Sequence, residues 1–115
     1  MFLWPPSVRI FIATQPVDLR KSFDSLAEVT RTVIRQEPLS GHLFVFFNRE
    51  RHRVKILFWD RSGYVLHYKR LERGFFRVPH EAGGAVEMEA TELALLLEGI
   101  DLSGAKRRLR FVPRP

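Results

Sequence analysis

Residues 38–79 read PLSGHLFVFFNRERHRVKILFWDRSGYVLHYKRLERGFFRVP, and this stretch decides what the chain can become. Three runs rich in β-branched and aromatic residues, at 42–47, 53–59 and 64–71, are separated by short polar turns. That is the pattern of successive antiparallel strands. The Asp60-Arg61-Ser62-Gly63 turn is short enough to fix its hairpin register. It sets Trp59 opposite Tyr64, Lys55 opposite Tyr68 and Arg53 opposite Arg70. Alternation then divides the sheet. One face carries Val54, Ile56, Phe58, Val65, His67 and Lys69, extended by Leu43, Val45 and Phe47, and is the expected seat of a helix. The other carries Arg53, Lys55, Leu57, Trp59, Tyr64, Leu66, Tyr68 and Arg70, apolar at one end and basic at the other.

Working outward, RIFIAT at 9–14 reads as a strand ended by Gln15-Pro16. A helix opening at Asp18 or Ser22 follows, because Phe23, Leu26, Ala27, Thr30, Val33 and Ile34 share one face at helical spacing up to about Arg35. Past the hairpins, Glu72-Arg73-Gly74 is a turn into a possible short strand at 75–78, stopped by Pro79. Residues 80–90 contain Gly83-Gly84 and read as a loop, and 91–98 as a short helix with Gly99 as its stop. These elements compose a small single α+β domain at 1–104. Its expected architecture is an antiparallel β-meander of four to five strands packed against one long helix and one short C-terminal helix. Residues 105–115 form a basic tail expected to be flexible.

The 115 residues carry 45% hydrophobic side chains and ten phenylalanines, enough to offset the entropy of ordering one modest core. With no cysteine, disulfide frameworks and thiolate chemistry are excluded. The start lacks the pattern of a signal peptide, and no apolar run is long enough to span a bilayer, so the expected setting is cytoplasmic and away from membranes. The net charge of +6 is distributed in blocks. Residues 49–77 hold nine cations against three acids, residues 78–105 hold six acids and no Lys or Arg, and the tail is basic. Either the basic sheet is an open polyanion surface, or the acidic segment lies over it.

Five pieces in order give a resemblance. IATQPVDLRKSFDSL (12–26), SGHLFVF (40–46), KILFWD (55–60), YKRLERG (68–74) and LALLLEGID (93–101) resemble the Orf2-like TnpB accessory proteins of insertion-sequence-66 elements. Ser22 and Ser25 stand where that family commonly has glycine, a change that favours helix. The resemblance implies a helper in transposition, encoded beside a separate transposase and another small accessory protein. RNA-guided nucleases that share the TnpB name are much longer and are not what this chain resembles.

In that context the basic positions become candidate DNA contacts, the element ends being the natural target. Arg20 and Lys21 sit near a helix N-terminus, where backbone N–H groups favour an anion, with pairing to Asp18 and Asp24 as the plain alternative. Arg53, Lys55, Lys69, Arg70 and Arg73 converge on the sheet, with Glu50 and Glu72 as possible counterions. Trp59 and Tyr68 are candidate stacking residues. Lys106, Arg107, Arg108 and Arg110 in the tail are candidate phosphate contacts. Nothing resembles a base-reading helix, so strong sequence specificity is not expected. Each candidate catalytic carboxylate has Arg or Lys nearby, the four histidines lack ligand spacing, and no phosphate-cradling Gly-rich loop occurs. The expectation is therefore no enzyme, no metal and no cofactor. A second class of reading is a protein adaptor. The apolar end of the second sheet face (Leu57, Trp59, Tyr64, Leu66, with Phe44 and Phe46) would then dock on the transposase or on another copy of the chain, unless the C-terminal helix covers it.

Overall fold

The computed structural model describes residue 5 and residues 7–101. Strand β1 (Ile10–Ala13) leads through helix α1 (Phe23–Val29), its π-helical extension (Thr30–Ile34) and one 3-10 turn (Pro38–Ser40) into the hairpin region. There β2 (Leu43–Phe47), β3 (Arg53–Trp59) and β4 (Tyr64–Arg70) follow in succession, and β5 (Ala85–Met88) and α2 (Ala90–Glu98) complete the order. The strands form one sheet in the order β4-β3-β2-β1-β5. The small α+β fold expected from the sequence is the fold observed. The proposed tail lies outside the described residues.

The β3–β4 register is the expected one, with Trp59 against Tyr64, Lys55 against Tyr68 and Arg53 against Arg70. Asp60 holds the turn, its Oδ1 accepting the N–H groups of Ser62 and Gly63 at 3.3 Å each. Helix α1 begins after Ser22, whose N–H donates to Ser25 Oγ at 3.0 Å and whose carbonyl accepts from Leu26 N at 2.8 Å. Ser25 thus does capping work that glycine, with no side chain, cannot do. Thr30 Oγ1 donates back to the Leu26 carbonyl at 2.9 Å where the helix widens. Arg35, at φ +65°, ends it by donating its N–H to the Thr30 carbonyl.

Three details differ from the sequence expectation. The sheet is mixed, because β1 pairs parallel with β2. A helix between two adjacent strands returns the chain to the same end of the sheet, so only β2–β4 forms the antiparallel meander. The strand placed at 75–78 is instead irregular, touching strand geometry only at the Phe75–Ile100 bridge. Phe76 and Val78 of this segment are buried as plugs for the core, and Pro79 prevents ladder pairing. The missing strand is β5, inside the segment read as a loop. It runs antiparallel along β1 from Ile10–Met88 to Ala13–Ala85, and the preceding Gly83-Gly84 disguised it.

The two sheet faces are also exchanged relative to expectation. Helix α1 covers the face of Phe11, Ala13, Phe44, Phe46 and Leu57, against which Leu26, Ala27 and Ile34 pack. The face of Leu43, Val45, Phe47, Val54 and Ile56 is covered by α2 through Leu93 and by Phe76 and Val78. Alternation says which residues share a face, but both faces here are apolar enough to take a helix. Of the apolar surface offered for docking a second chain, Phe44, Phe46 and Leu57 are fully buried under α1, while Trp59, Tyr64 and Leu66 are half-buried.

One packing detail has a pH consequence. His42 Nδ1 accepts the Arg9 N–H at 2.9 Å, and its ring meets Phe11 edge-on. Partial burial, then the Arg9 charge, pushes the His42 pKa below its ordinary value, against the pull of Glu87; burial does the same to His67. Above an unfolded pKa of about 6.5 both folded and unfolded chains are neutral at these rings, so nothing is lost. Below it the unfolded chain binds protons that the fold resists, and stability declines on acidification until the lower folded pKa is reached. The melting temperature should therefore be flat above about pH 7 and fall between about pH 6.5 and 5. His42→Asn, which keeps an acceptor but not the titration, should remove part of that fall. An unchanged profile would mean His42 is not one of the titrating groups.

Candidate nucleic-acid interface

A groove of about 420 Å³ opens where the β1–α1 loop faces the β2–β3 turn. Its loop wall is Pro16, Val17, Asp18, Leu19 and Arg20, its turn wall is Asn48, Arg49 and Glu50, and its floor includes Arg53 and Tyr68. Both walls are fixed by local bonds. Val17 N–H donates to the Phe47 carbonyl at 2.9 Å, tying the loop to the end of β2, and Leu19 is buried as its apolar anchor. Asp18 then organises a tight turn, accepting from Arg20 N on Oδ1 at 3.0 Å and from Lys21 N on its carbonyl at 3.1 Å. Opposite it, Asn48 Oδ1 accepts both His52 N and Arg53 N at 3.0 Å, while Arg51 turns the chain at φ +63°.

The cations in and near the groove differ in how far they are already neutralised. Arg20 forks onto Asp18, with Nη2–Oδ2 at 2.7 Å. That side-chain bond, helped by the Arg20 N–H, lowers the Asp18 pKa to about 2, so the pair stays ionised and mutually neutralised at physiological pH. Among the described residues, Arg53 and Arg49 form no ion pair with a carboxylate. Arg53 Nη1 instead donates to the Tyr68 hydroxyl. The like-charged Arg53–Arg70 pairing predicted from register is real, and Glu72 relieves its outer half by binding Arg70 Nε at 3.0 Å. The acidic 78–101 segment does not cover this end. Glu87 of that segment pairs instead with Arg9, at 2.8 Å.

The structure brings together only part of the set proposed from sequence. Arg20, Arg53 and Tyr68 line the groove, and Lys21 is exposed beside it. Lys55 lies buried beneath, 7% exposed, donating from Nζ to the Lys21 carbonyl at 2.8 Å and sitting 4.8 Å from the centre of the Tyr68 ring. It is a strut between β3 and the Arg20–Lys21 turn rather than an open phosphate contact. Lys69 reaches the opposite face, where Nζ donates to the Leu97 carbonyl at 2.7 Å near the C-terminus of α2. Trp59 packs edge-on against Tyr64, six strand residues or roughly 20 Å from Arg53. Arg73 is exposed in the turn after β4 and is not part of the groove lining. Lys106, Arg107, Arg108 and Arg110 lie outside the described residues. Asn48 went unrecognised as a site residue, although an Asn at a strand end followed by a polar run is a turn signal; Arg49 stands in the basic loop that leads into Arg53.

Lys55→Met tests the strut. A buried lysine exchanged for an apolar side chain of similar length should cost little global stability. Amide exchange at Arg20–Ser22 should nonetheless rise severalfold as the Lys21 carbonyl loses its donor. Unchanged exchange there would mean Asp18 alone holds the turn.

No helix among the described residues is long and apolar enough to cross a membrane. Residues 8–107 match the family described as IS66 Orf2-like protein. Two uncharacterized proteins of Sinorhizobium fredii are similar along most of their length. The protein y4jC is 37% identical over 101 residues, covering 88% of this chain and 86% of that protein. The protein y4hO is 42% identical over 95 residues, covering 83% of each. No solved structure matches the chain.

Proposed function

We propose, from the premise that this chain belongs to the IS66 Orf2-like family, that it serves transposition as a non-catalytic DNA-binding accessory protein. Its groove at the open end of β3 and β4 holds the sugar-phosphate backbone, at or near the element ends. It works in the bacterial cytoplasm beside the transposase and the element's other small accessory protein. The observation that carries this reading is the pair Arg49 and Arg53: two guanidinium groups on one groove, neither ion-paired among the described residues. Guanidinium suits phosphate geometrically, and convergent cations stay unfavourable until an anion lies between them. The carboxylates near the basic end support binding over hydrolysis, since Asp18 and Glu72 are each held by an arginine. Backbone contacts carry no base information, which fits a helper that leaves sequence choice to its partner.

The test is a fluorescence-anisotropy titration of the full chain with element-end and random DNA between 50 and 300 mM salt. Affinity should fall linearly on a log–log plot, with a slope of roughly −2 to −4 for a few neutralised phosphates. Both DNAs should bind within a fewfold of each other. Absence of salt-sensitive binding to either would reject the reading.

A further inference from the structure

The groove is too small for a duplex and is floored by an aromatic ring, and from this we propose that it receives an unpaired nucleotide, whose base stacks on Tyr68 while flanking phosphates meet Arg49 and Arg53. The inference rests on the nucleic-acid reading above and narrows it to single-stranded or frayed DNA. A space of about 420 Å³ is of the size that holds one small molecule. A double helix about 20 Å across can only lie over its rim, because the major groove alone is about 12 Å wide.

Tyr68 is unusual among the aromatics of this sheet. Phe44, Phe46 and Phe47 are buried, whereas Tyr68 is 52% exposed and lines the groove. Its orientation is held from two sides. The hydroxyl accepts from Arg53, and the buried Lys55 ammonium lies 4.8 Å from the ring centre. The Arg53 guanidinium carbon also lies 6.0 Å from the ring centre, so a base stacking on the exposed half of Tyr68 would lie beside that cation. A ring fixed in advance loses little freedom on binding, which is what a stacking platform needs. The cation beneath also raises the positive potential where a phosphate flanking the stacked base would lie. An acid at the groove adds selectivity by shape. Glu50 lines the turn wall without an arginine partner among the described residues, so a rigid duplex backbone pressed on that wall meets its carboxylate, while a flexible strand can pass it by. Trp59, roughly 20 Å along β3 from Arg53, takes no part.

The experiment uses a fluorescein-labelled 15-nucleotide strand of mixed sequence, the same strand annealed to its complement, and a duplex with a five-nucleotide overhang. All three are titrated at one salt concentration with the full chain. The wild-type protein should bind the single strand and the overhang about tenfold or more tighter than the blunt duplex. Tyr68→Ala should abolish that preference, weakening single-strand binding about tenfold and duplex binding less than twofold. Tyr68→Phe, which keeps the ring, should retain the preference. Tyr68→Leu supplies a second ring-less variant with better strand propensity, should the alanine fold poorly. Equal wild-type affinity for single strand and blunt duplex overturns the stacked-base inference while leaving the DNA-binding reading standing. So does a Tyr68→Leu protein that keeps the preference. Failure of all three DNAs to bind overturns both.

Discussion

Gly74→Ala should lower the melting temperature by roughly 15 °C, a loss of about 3 kcal/mol in a domain of this size. Gly74 adopts φ +80°, where a side chain is already disfavoured by about 1–2 kcal/mol. A Cβ there would sit 1.9 Å from the Ile100 carbonyl oxygen and 2.7 Å from its carbon. These are backbone atoms, so no rotamer change relieves the overlap and the two segments must separate. Separation breaks the bonds Phe75 N to Ile100 O at 3.0 Å and Ile100 N to Phe75 O at 2.8 Å, each worth about 1 kcal/mol. It also strains Phe76, which is fully buried and packs its ring 5.3 Å from that of Phe47. The control is Gly83→Ala, where a Cβ meets nothing within 4 Å. Thermal melts followed by circular dichroism should place that variant within about 3 °C of wild type. A Gly74→Ala protein that melts alongside it would show that the 74–76 segment does not hold α2 to the sheet.

The glycine contact also shows how far sequence reasoning reaches. YKRLERG and LALLLEGID were legible as motifs, and the turn at Gly74 and helix stop at Gly99 follow from glycine chemistry. That the two motifs meet through the Phe75–Ile100 bridge was not legible, because single-residue bridges leave no periodic pattern. The β3–β4 register was readable because a four-residue turn between two alternating strands leaves little choice. The assignment of helices to faces was not, since Phe44, Phe46 and Leu57 on one side and Val45, Phe47 and Val54 on the other are equally suited to burial. For the site, charge counting pointed to Arg20, Arg53 and the ring between basic positions, which the fold brings to one groove. It could not separate them from Lys55 and Lys69, whose long stems carry their ammonium groups to main-chain carbonyls on opposite faces. Arg49 shares a basic run with Arg51 and Arg53, and nothing in the sequence sets it apart until the loop wall opposite it is known.

The double reversal Arg49→Glu/Arg53→Glu should weaken DNA binding by at least roughly 30-fold at 100 mM salt and flatten the salt dependence by about two in slope. Two phosphate contacts are lost and two repulsive ones gained, in a groove where Glu50 already supplies negative charge. Unfolding is not expected to confuse the result. A carboxylate at position 53 can accept the Tyr68 hydroxyl in place of Arg53 and faces Arg70 directly across the pair, turning a like-charge contact into an attractive one. Net charge is the competing explanation, since any chain at +6 that loses four units binds polyanions less well. A matched control answers it: Arg31→Glu/Arg61→Glu makes the same change on the helix and at the far hairpin turn, positions that do not line the groove. Anisotropy titrations should show the control within about fivefold of wild type, with its slope nearly intact. If both doubles lose affinity alike, the attraction belongs to the whole molecule and the groove has no special claim on DNA. If only the groove double fails, the two arginines that have no carboxylate partner among the described residues are the ones the phosphates neutralise.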